Sequence, residues 1–261
     1  MHGNYESLSF ESRGAVRLIG LNRAAKLNAF NLTMLRELGL ALRAVEEDPG
    51  ARVALLFPHG DNLTAGLDLA EVGPHVKAGG ALFEDGIDPL SLYGEKRKKP
   101  LLMVAKGYAL TIGIELLLAS DIAVAEEGAI FGQIEINRGI FPFGGATIRL
   151  PARAGYANAM RWLLTGDRFG ADEALRLGLV QEITPKGEGL ERAIALAETI
   201  ASRAPLGVMA TIESARLSMN EGEAAAAEAL LPKAREIMES EDAEEGMRSF
   251  IERREAVFKG R

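Results

Sequence analysis

Apolar runs alternate with amphipathic stretches along the first two thirds of the chain, and polar or glycine-containing breaks separate them. Residues 5–11 and 14–21 flank a Ser12-Arg13-Gly14 turn, which predicts a β-hairpin. Asn31 precedes a pattern typical of a helix from Leu32 to about Glu47. The patterning also predicts a short buried helix at 112–120 and strands at 52–58, 101–106, 121–125, 129–132 and 179–183. This alternation predicts an α/β architecture.

The rest of the chain is mostly helical in pattern, with helices predicted at 144–154, 156–165 and 171–177. Beyond residue 190 the helical pattern continues to 258, with breaks expected near Pro205, Gly222 and Pro232. We therefore predict a core over 1–195 and a helical assembly region over 196–261. Residues 73–99, which hold glycines, two prolines and the KRKK run 96–99, predict a mobile, solvent-facing lid over a cleft.

Length and composition limit the classes of protein to which this chain can belong. The 261 residues are 48% hydrophobic and 26% charged, with mean hydropathy +0.04, which suits one globular domain with a large core. The net charge of −7 and pI of about 5.2 argue against nucleic-acid binding and against anionic membranes. With no cysteine, disulfides, thiol catalysis and thiolate metal ligands are excluded.

The sequence gives little evidence for a metal site, a signal peptide or a membrane-spanning segment. His2, His59 and His75 are too scattered to predict a metal site. The first residues lack the basic and apolar regions of a signal peptide, and the apolar run from Ile112 is interrupted by Glu115 and too short to cross a bilayer. We expect a cytoplasmic protein with no membrane partner and no nucleic-acid partner.

Two glutamates, Glu115 and Glu135, stand out because each lies within an apolar, glycine-containing segment. Burial would raise both pKa values, and two such carboxyl groups facing one cavity can divide the roles of acid and base. Simpler interpretations remain open for each: Glu115 paired with an arginine inside a buried helix, or Glu135 in a surface pair with Arg138.

Two loop-to-helix junctions offer backbone N–H groups for a developing negative charge. The segment LTAGLDLAEV, 63–72, presents the N–H of Leu67 after a glycine, and KGYALTIGIEL, 106–116, presents that of Ile112. Either junction alone is equally compatible with an ordinary connection between a loop and a helix. The KRKK run is most simply a solvated face, with a phosphate contact as the alternative.

Taken together, these segments resemble the crotonase (enoyl-CoA hydratase/isomerase) superfamily over nearly the whole chain. The similar stretches, in order, are LNRAAKLNAF at 21–30, LTAGLDL, GYALTIGIEL, FGQIEINRGIFPFGGATIRLPARAG, LTGDRFGADEALRLGLVQEI and the tail EGMRSFIERREAVFKG. The resemblance implies a spiral core of ββα repeats and a C-terminal helical trimerisation region, assembled as a homotrimer or a dimer of trimers.

The resemblance also implies an acyl-CoA substrate, with CoA entering as part of the substrate and with no separate cofactor and no metal. Its thioester carbonyl would accept hydrogen bonds from the N–H groups of Leu67 and Ile112, and Glu115 and Glu135 match the two hydratase glutamates. The positions implied to contact CoA are Ala25, Lys26, Leu27, Ala65, Asp68, Leu69, Phe250 and Arg253, the last two reaching a neighbouring subunit's CoA.

The chain departs from the family pattern around the implied carbonyl site. Hydratases usually have glycine at the position of Ile112, and a small residue is common at that of Phe143. We expect both side chains to narrow the acyl site. The preferred reaction is syn hydration of a trans-2-enoyl-CoA; the alternatives are double-bond isomerisation through the same enolate, or a degenerate acyl-CoA-binding protein.

Overall fold

Nine strands form two sheets in the computed structural model, which describes residues 5–261. Residues 1–4 lie outside the described part. They include His2 and the first residues of the segment that lacks signal-peptide features. The strands are β1 Leu8–Arg13, β2 Val16–Leu21, β3 Val53–Pro58, β4 Leu101–Ala105, β5 Tyr108–Leu110, β6 Ile122–Glu126, β7 Ile130–Gly132, β8 Phe169–Gly170 and β9 Glu182–Thr184. The larger sheet has the order β1-β2-β3-β4-β6-β9 and the smaller one β5-β7-β8.

The chain alternates between the two sheets. Strand β4 lies in the larger sheet and β5 in the smaller one, and β6 and β7 repeat this placement. Because β2, β3, β4, β6 and β9 pair in parallel, successive turns of the chain stack side by side. The predicted α/β architecture is confirmed.

Ten α-helices follow or connect these strands within residues 5–261. They are α1 Leu32–Glu47, α2 Leu69–Lys77, α3 Ile112–Ala119, α4 Ala146–Ala154, α5 Tyr156–Thr165, α6 Ala171–Arg176, α7 Gly189–Ala201, α8 Pro205–Glu221, α9 Glu223–Met238 and α10 Glu241–Glu252. The Asn31 side chain accepts a hydrogen bond from the N–H of Met34 and caps α1 as predicted.

Both faces of the larger sheet are buried. Along β3, Ala54 and Leu56 face the main core, which includes α1 and α3. The alternate residues Val53, Leu55 and Phe57 face a second cluster that holds the apolar face of α7. A parallel sheet covered on both faces explains why β3 is apolar throughout rather than alternating.

Most predicted elements are confirmed, with three changes. The residues of β5 were predicted as a turn, and they pair with β7 instead. The last predicted strand begins only at Glu182, because Leu179 and Val180 are buried beside the end of α6 and precede the pairing with β6. The predicted break near Pro232 is wrong: α9 runs through this residue, which lies on the exposed face of the helix.

The segment 73–99 is not the solvent-facing lid that we expected. Ile87 and Leu90 are in the main core, and the N–H of Ile87 donates to the carbonyl of Gly39 on α1. A Cβ on Gly39 would lie 2.2 Å from the carbonyl oxygen of Asp85, so the segment docks against the helix backbone at a glycine. Its apolar residues are therefore part of the fold.

The KRKK run is not a uniform solvated face. Arg97 is buried and pairs with Asp121 at 2.5 Å. The Nζ of Lys99 donates to the carbonyl oxygens of Val45, Glu46 and Asp48 at the end of α1. Such contacts satisfy carbonyls that a helix terminus leaves without partners, so half of this run stabilises the core.

The C-terminal helices continue from the core without a break at the predicted division. Helix α7 spans residue 196 and packs on the larger sheet. Arg216 of α8 bonds Asp121 and the carbonyl of Arg97, which fixes α8 to the core. No single helix among the described residues is long and apolar enough to cross a membrane; α7 and α8 reach that length only as a pair bent by 105°.

Candidate active site

Glu115 lies in the first turn of α3 and is almost fully buried. Its Oε1 accepts hydrogen bonds from the N–H of Gly144 at 2.7 Å and of Ala146 at 3.3 Å. A Cβ on Gly144 would lie 2.2 Å from Glu115 Oε2, so only glycine lets the backbone come this close. Within residues 5–261 Glu115 has no arginine ion pair; backbone donors hold it in place.

Glu135 begins a 3₁₀ turn, Glu135–Arg138, directly after β7. It is buried, and within residues 5–261 it makes no ion pair with Arg138, so the surface-pair interpretation is wrong. The buried amide of Gln133 lies against it. With its nitrogen facing the carboxylate, this amide donates to both Glu135 oxygens at 3.0 and 3.1 Å and to the carbonyl of Thr111 at 3.2 Å. The opposite orientation would place its oxygen against three acceptors.

Burial raises the pKa of both carboxyl groups. Desolvation raises the pKa of Glu115, while its two backbone donors and nearby Arg149 act in the opposite direction. Desolvation, reinforced by the charge of Glu115, raises the pKa of Glu135 to about 7. Because Glu115 has two N–H donors that favour its charged form, we expect Glu135 to be the more protonated of the two at neutral pH.

The two loop-to-helix junctions meet beside these acids. The N–H of Thr64 donates to the carbonyl of Tyr108, and that of Leu110 donates back to Thr64, so the loops pair like short strands. A Cβ on Gly66 would lie 2.4 Å from Thr111 Oγ1, which brings the residues before Leu67 and Ile112 into contact.

The N–H groups of Leu67 and Ile112 find no acceptor within residues 5–261. Ile112 is the first residue of α3, where a helix leaves its N–H groups without intrahelical partners. Leu67 precedes α2, and its neighbours Gly66 and Asp68 both bond Phe30 instead. Two unpaired donors from adjoining loops are suited to a developing oxyanion.

Thr111, rather than Ile112, has the unusual backbone at this junction. Its φ of 49° and ψ of −113° lie in a region that a β-branched residue rarely adopts. Its hydroxyl oxygen is buried and has no partner within residues 5–261. Ile112 is helical, and its side chain is 1% exposed within the main core. Most of its bulk is therefore directed into the core.

A cavity of about 230 Å³ joins these groups. The predicted residues that line it are Ala65, Leu67, Leu69, Ile112, Glu115, Glu135 and Phe143. One cavity is therefore lined by the two proposed acids, by the two residues proposed to bind the carbonyl and by part of the implied CoA path. Its volume is below the roughly 300–1,000 Å³ of most small-molecule sites, which favours a short acyl group.

The implied CoA segment lies next to the cavity. Ala25 and Lys26 are exposed on a 3₁₀ turn, Ala24–Lys26, and Leu27 follows with φ of 52°. The carbonyl of Leu27 accepts from the N–H of Ala65, which joins this turn to the loop of Leu67. Asp68 lies on the same loop and faces Arg23 at 3.7 Å. CoA contact by these residues stays a prediction.

Phe250 and Arg253 are the predicted site residues that the single chain does not bring to the cavity. Phe250 is 84% exposed on α10, and Arg253 ends that helix with φ of 53°. Neither residue lines the cavity. Their proposed contact with a neighbouring subunit's CoA remains a prediction.

The structure adds three residues that sequence analysis did not assign to the site: Gln133, Thr111 and Gly144. The signal for Gln133 was a polar residue directly after a short apolar strand, two residues before Glu135. For Gly144 it was the glycine pair after Phe143. No sequence signal distinguished Thr111 from Ile112 as the residue with positive φ.

Comparison with known proteins gives consistent matches over the whole chain. The family model Enoyl-CoA hydratase/isomerase matches residues 11–261. Enoyl-CoA hydratase EchA19 of Mycobacterium tuberculosis (strain ATCC 25618 / H37Rv) is 36% identical over 259 residues, 96% of each chain. The 2,3-dehydroadipyl-CoA hydratase of Escherichia coli (strain K12) is 34% identical and covers 94% of this chain and 96% of its own. A crystal structure of a probable enoyl-CoA hydratase/isomerase from Mycobacterium abscessus superposes with TM-score 0.96 at 54% identity, covering 99% of this chain and 100% of that one.

Proposed function

The chain belongs to the enoyl-CoA hydratase/isomerase (crotonase) family of enzymes, and on that premise we propose that it adds water across the double bond of a 2-enoyl-CoA. The observation that carries the proposal is the single cavity in which two buried glutamates and two unpaired N–H groups meet. The hydratase names of the mycobacterial and E. coli relatives support the same reaction.

The proposed carbonyl site consists of the N–H groups of Leu67 and Ile112, which donate to the thioester oxygen. As water adds at C3, negative charge develops on that oxygen, and donors already in position stabilise the transition state more than the substrate. In enzymes that stabilise an oxyanion, removal of one such donor typically costs about 3–4 kcal/mol of transition-state stabilisation. Since neither group has another acceptor within residues 5–261, no internal hydrogen bond is lost when the substrate binds.

The two glutamates divide the proton transfers in this mechanism. Glu115, held by two backbone N–H groups, takes a proton from the attacking water as its oxygen bonds C3. Glu135, whose pKa of about 7 keeps it substantially protonated at neutral pH, delivers a proton to C2. Together the two transfers add one water to the substrate. Exchange of protons with solvent then returns Glu115 to its ionised form and Glu135 to its protonated form.

We also propose an oligomeric state and a cellular location. Assembly as a homotrimer or a dimer of trimers is supported by the apolar residues that the C-terminal helices expose, among them Leu230, Leu231 and Met238. A cytoplasmic location is proposed from the sequence alone.

The test is loss of enoyl-thioester absorbance over a panel of 2-enoyl-CoA substrates, with products identified by mass spectrometry. Gain of one water supports hydration, whereas unchanged mass with a shifted double bond would establish an isomerase. Tight binding with no reaction would establish a degenerate binder. Glu115→Gln and Glu135→Gln should each lower turnover at least about 100-fold. Glu127→Gln makes the same change outside the cavity and should leave turnover unchanged.

A further inference from the structure

Arg138 is the one basic side chain that lines the catalytic cavity among the described residues. It is the last residue of the 3₁₀ turn that Glu135 begins. Side chains three residues apart are eclipsed in a 3₁₀ helix, so Arg138 and Glu135 share one side of the turn. Arg138 is exposed, which leaves its guanidinium free to turn toward the cavity mouth.

This guanidinium has no acceptor within residues 5–261, in either an ion pair or a hydrogen bond. The acids that share its cavity are engaged by neutral donors: Glu115 by the N–H groups of Gly144 and Ala146, Glu135 by the amide of Gln133. The cavity therefore holds a cation whose donors remain available to an anionic ligand.

From this placement we infer that Arg138 binds a carboxylate carried by the acyl group, so that the preferred substrates are short 2-enoyl-CoA thioesters ending in a carboxylate. A planar guanidinium can bind a carboxylate through two parallel hydrogen bonds, a geometry that a methyl-ended chain cannot offer. The inference rests on the hydration proposed above and names the substrate class for that site.

The acyl group is a better source of this anion than the phosphates of CoA. Arg138 lines the same space as both glutamates, Ile140 and Phe143, which is where the reacting acyl group would lie. The implied CoA segment, Ala25 to Leu27, does not line that space.

The experiment compares kcat/KM for pairs of 2-enoyl-CoA thioesters of equal chain length, one ending in methyl and one in carboxylate. The wild-type protein should prefer the carboxylate-ended member. Arg138→Leu should lower kcat/KM for that member by about 10- to 100-fold, the usual effect of losing a charged hydrogen-bond partner. For the methyl-ended member, kcat/KM of Arg138→Leu should stay within about threefold of wild type. The Arg138→Lys variant should retain part of the preference for the carboxylate-ended member. Arg36→Leu, an equal loss of charge at an exposed position of α1 outside the cavity, should change neither value.

Equilibrium binding separates this inference from the hydration itself. Calorimetry with saturated acyl-CoA analogues, carboxylate-ended against methyl-ended, should show the same dependence on Arg138 whether or not the enzyme adds water. Absence of turnover together with Arg138-dependent binding would overturn hydration and leave the inference standing. Equal losses on both members of a pair, or no preference in the wild type, would overturn the inference. Loss of assembly by Arg138→Leu in light scattering would also overturn it, because Arg138 would then pair with a second copy.

Discussion

Replacing Glu135 with glutamine should stabilise the folded protein at alkaline pH. Desolvation, with the charge of Glu115, raises the pKa of Glu135 from 4.5 to about 7. Between these values the folded chain holds a proton that the unfolded chain has released, so the free energy of unfolding falls as pH rises through this interval. At about 1.4 kcal/mol per pH unit, the interval of about 2.5 units lowers stability by about 3 kcal/mol. Glutamine matches the protonated acid in shape and cannot ionise, so it avoids this loss.

The measurement is urea unfolding of wild type and Glu135→Gln, followed by circular dichroism at about pH 5 and about pH 9. Protein concentration must be equal throughout, since assembly would itself add to apparent stability. Because a small part of the loss has already occurred at pH 5, the stability advantage of the variant should be about 2.5 kcal/mol greater at the higher pH. Glu127→Gln, which changes an exposed carboxylate, should show no such increase. An advantage for Glu135→Gln that is equal at both pH values would refute the burial argument and, with it, the assignment of Glu135 as the protonated acid.

Four further outcomes are expected. Turnover should fall as pH rises through about 7, because protonated Glu135 delivers the proton to C2; a rate that rises there would make Glu135 the base. Gly144→Ala should lower kcat by about 100-fold by displacing Glu115, while Gly170→Ala, whose Cβ meets nothing within 4 Å, should not. Calorimetric melting should show Thr111→Gly to be more stable by about 1 kcal/mol through relief of backbone strain. The same assay should show Ile112→Gly to be less stable by about 3 kcal/mol or more through loss of a buried side chain. If the two glycine variants changed stability by the same amount, the backbone strain would not lie at Thr111. Truncation after about residue 200 should give aggregated or monomeric material, and a well-behaved trimer in light scattering would refute the assembly role of the tail.

The sequence was sufficient to predict that Glu115 and Glu135 are buried, and to predict the elements that hold them. Both glutamates interrupt apolar segments, and the periodicity placed Glu115 at a helix start and Glu135 after a strand. Such predictions succeed because burial of apolar residues determines which face of each element turns inward. Strand β5 was missed because its three residues lie between Gly107 and the start of α3, where the sequence indicates a loop, and because its pairing with β7 is long-range.

The lysine and arginine residues of the run 96–99 could not be placed from composition. A run of charges usually indicates a solvated surface, but Arg97 instead pairs with Asp121, twenty-four positions away, and Lys99 reaches carbonyls at the end of α1. Those partners become available only once the chain has folded, since a local pattern carries no information about a distant carbonyl. The same limit applies to Gln133, whose amide also contacts the carbonyl of Thr111, twenty-two positions away.

Thr111 shows how a strained residue can organise this site. Its carbonyl accepts hydrogen bonds from the N–H groups of Ile114 and Glu115, and from the amide of Gln133 that also contacts Glu135. One carbonyl thus links the start of α3, the residue proposed as base and the side chain that orients the proposed acid. With an ordinary φ at this position, the carbonyl and the following N–H of Ile112 would point elsewhere. The strain at Thr111 is therefore the local cost of a backbone that places its carbonyl against the start of α3 and the amide of Gln133, and leaves the next N–H, that of Ile112, without an acceptor within residues 5–261.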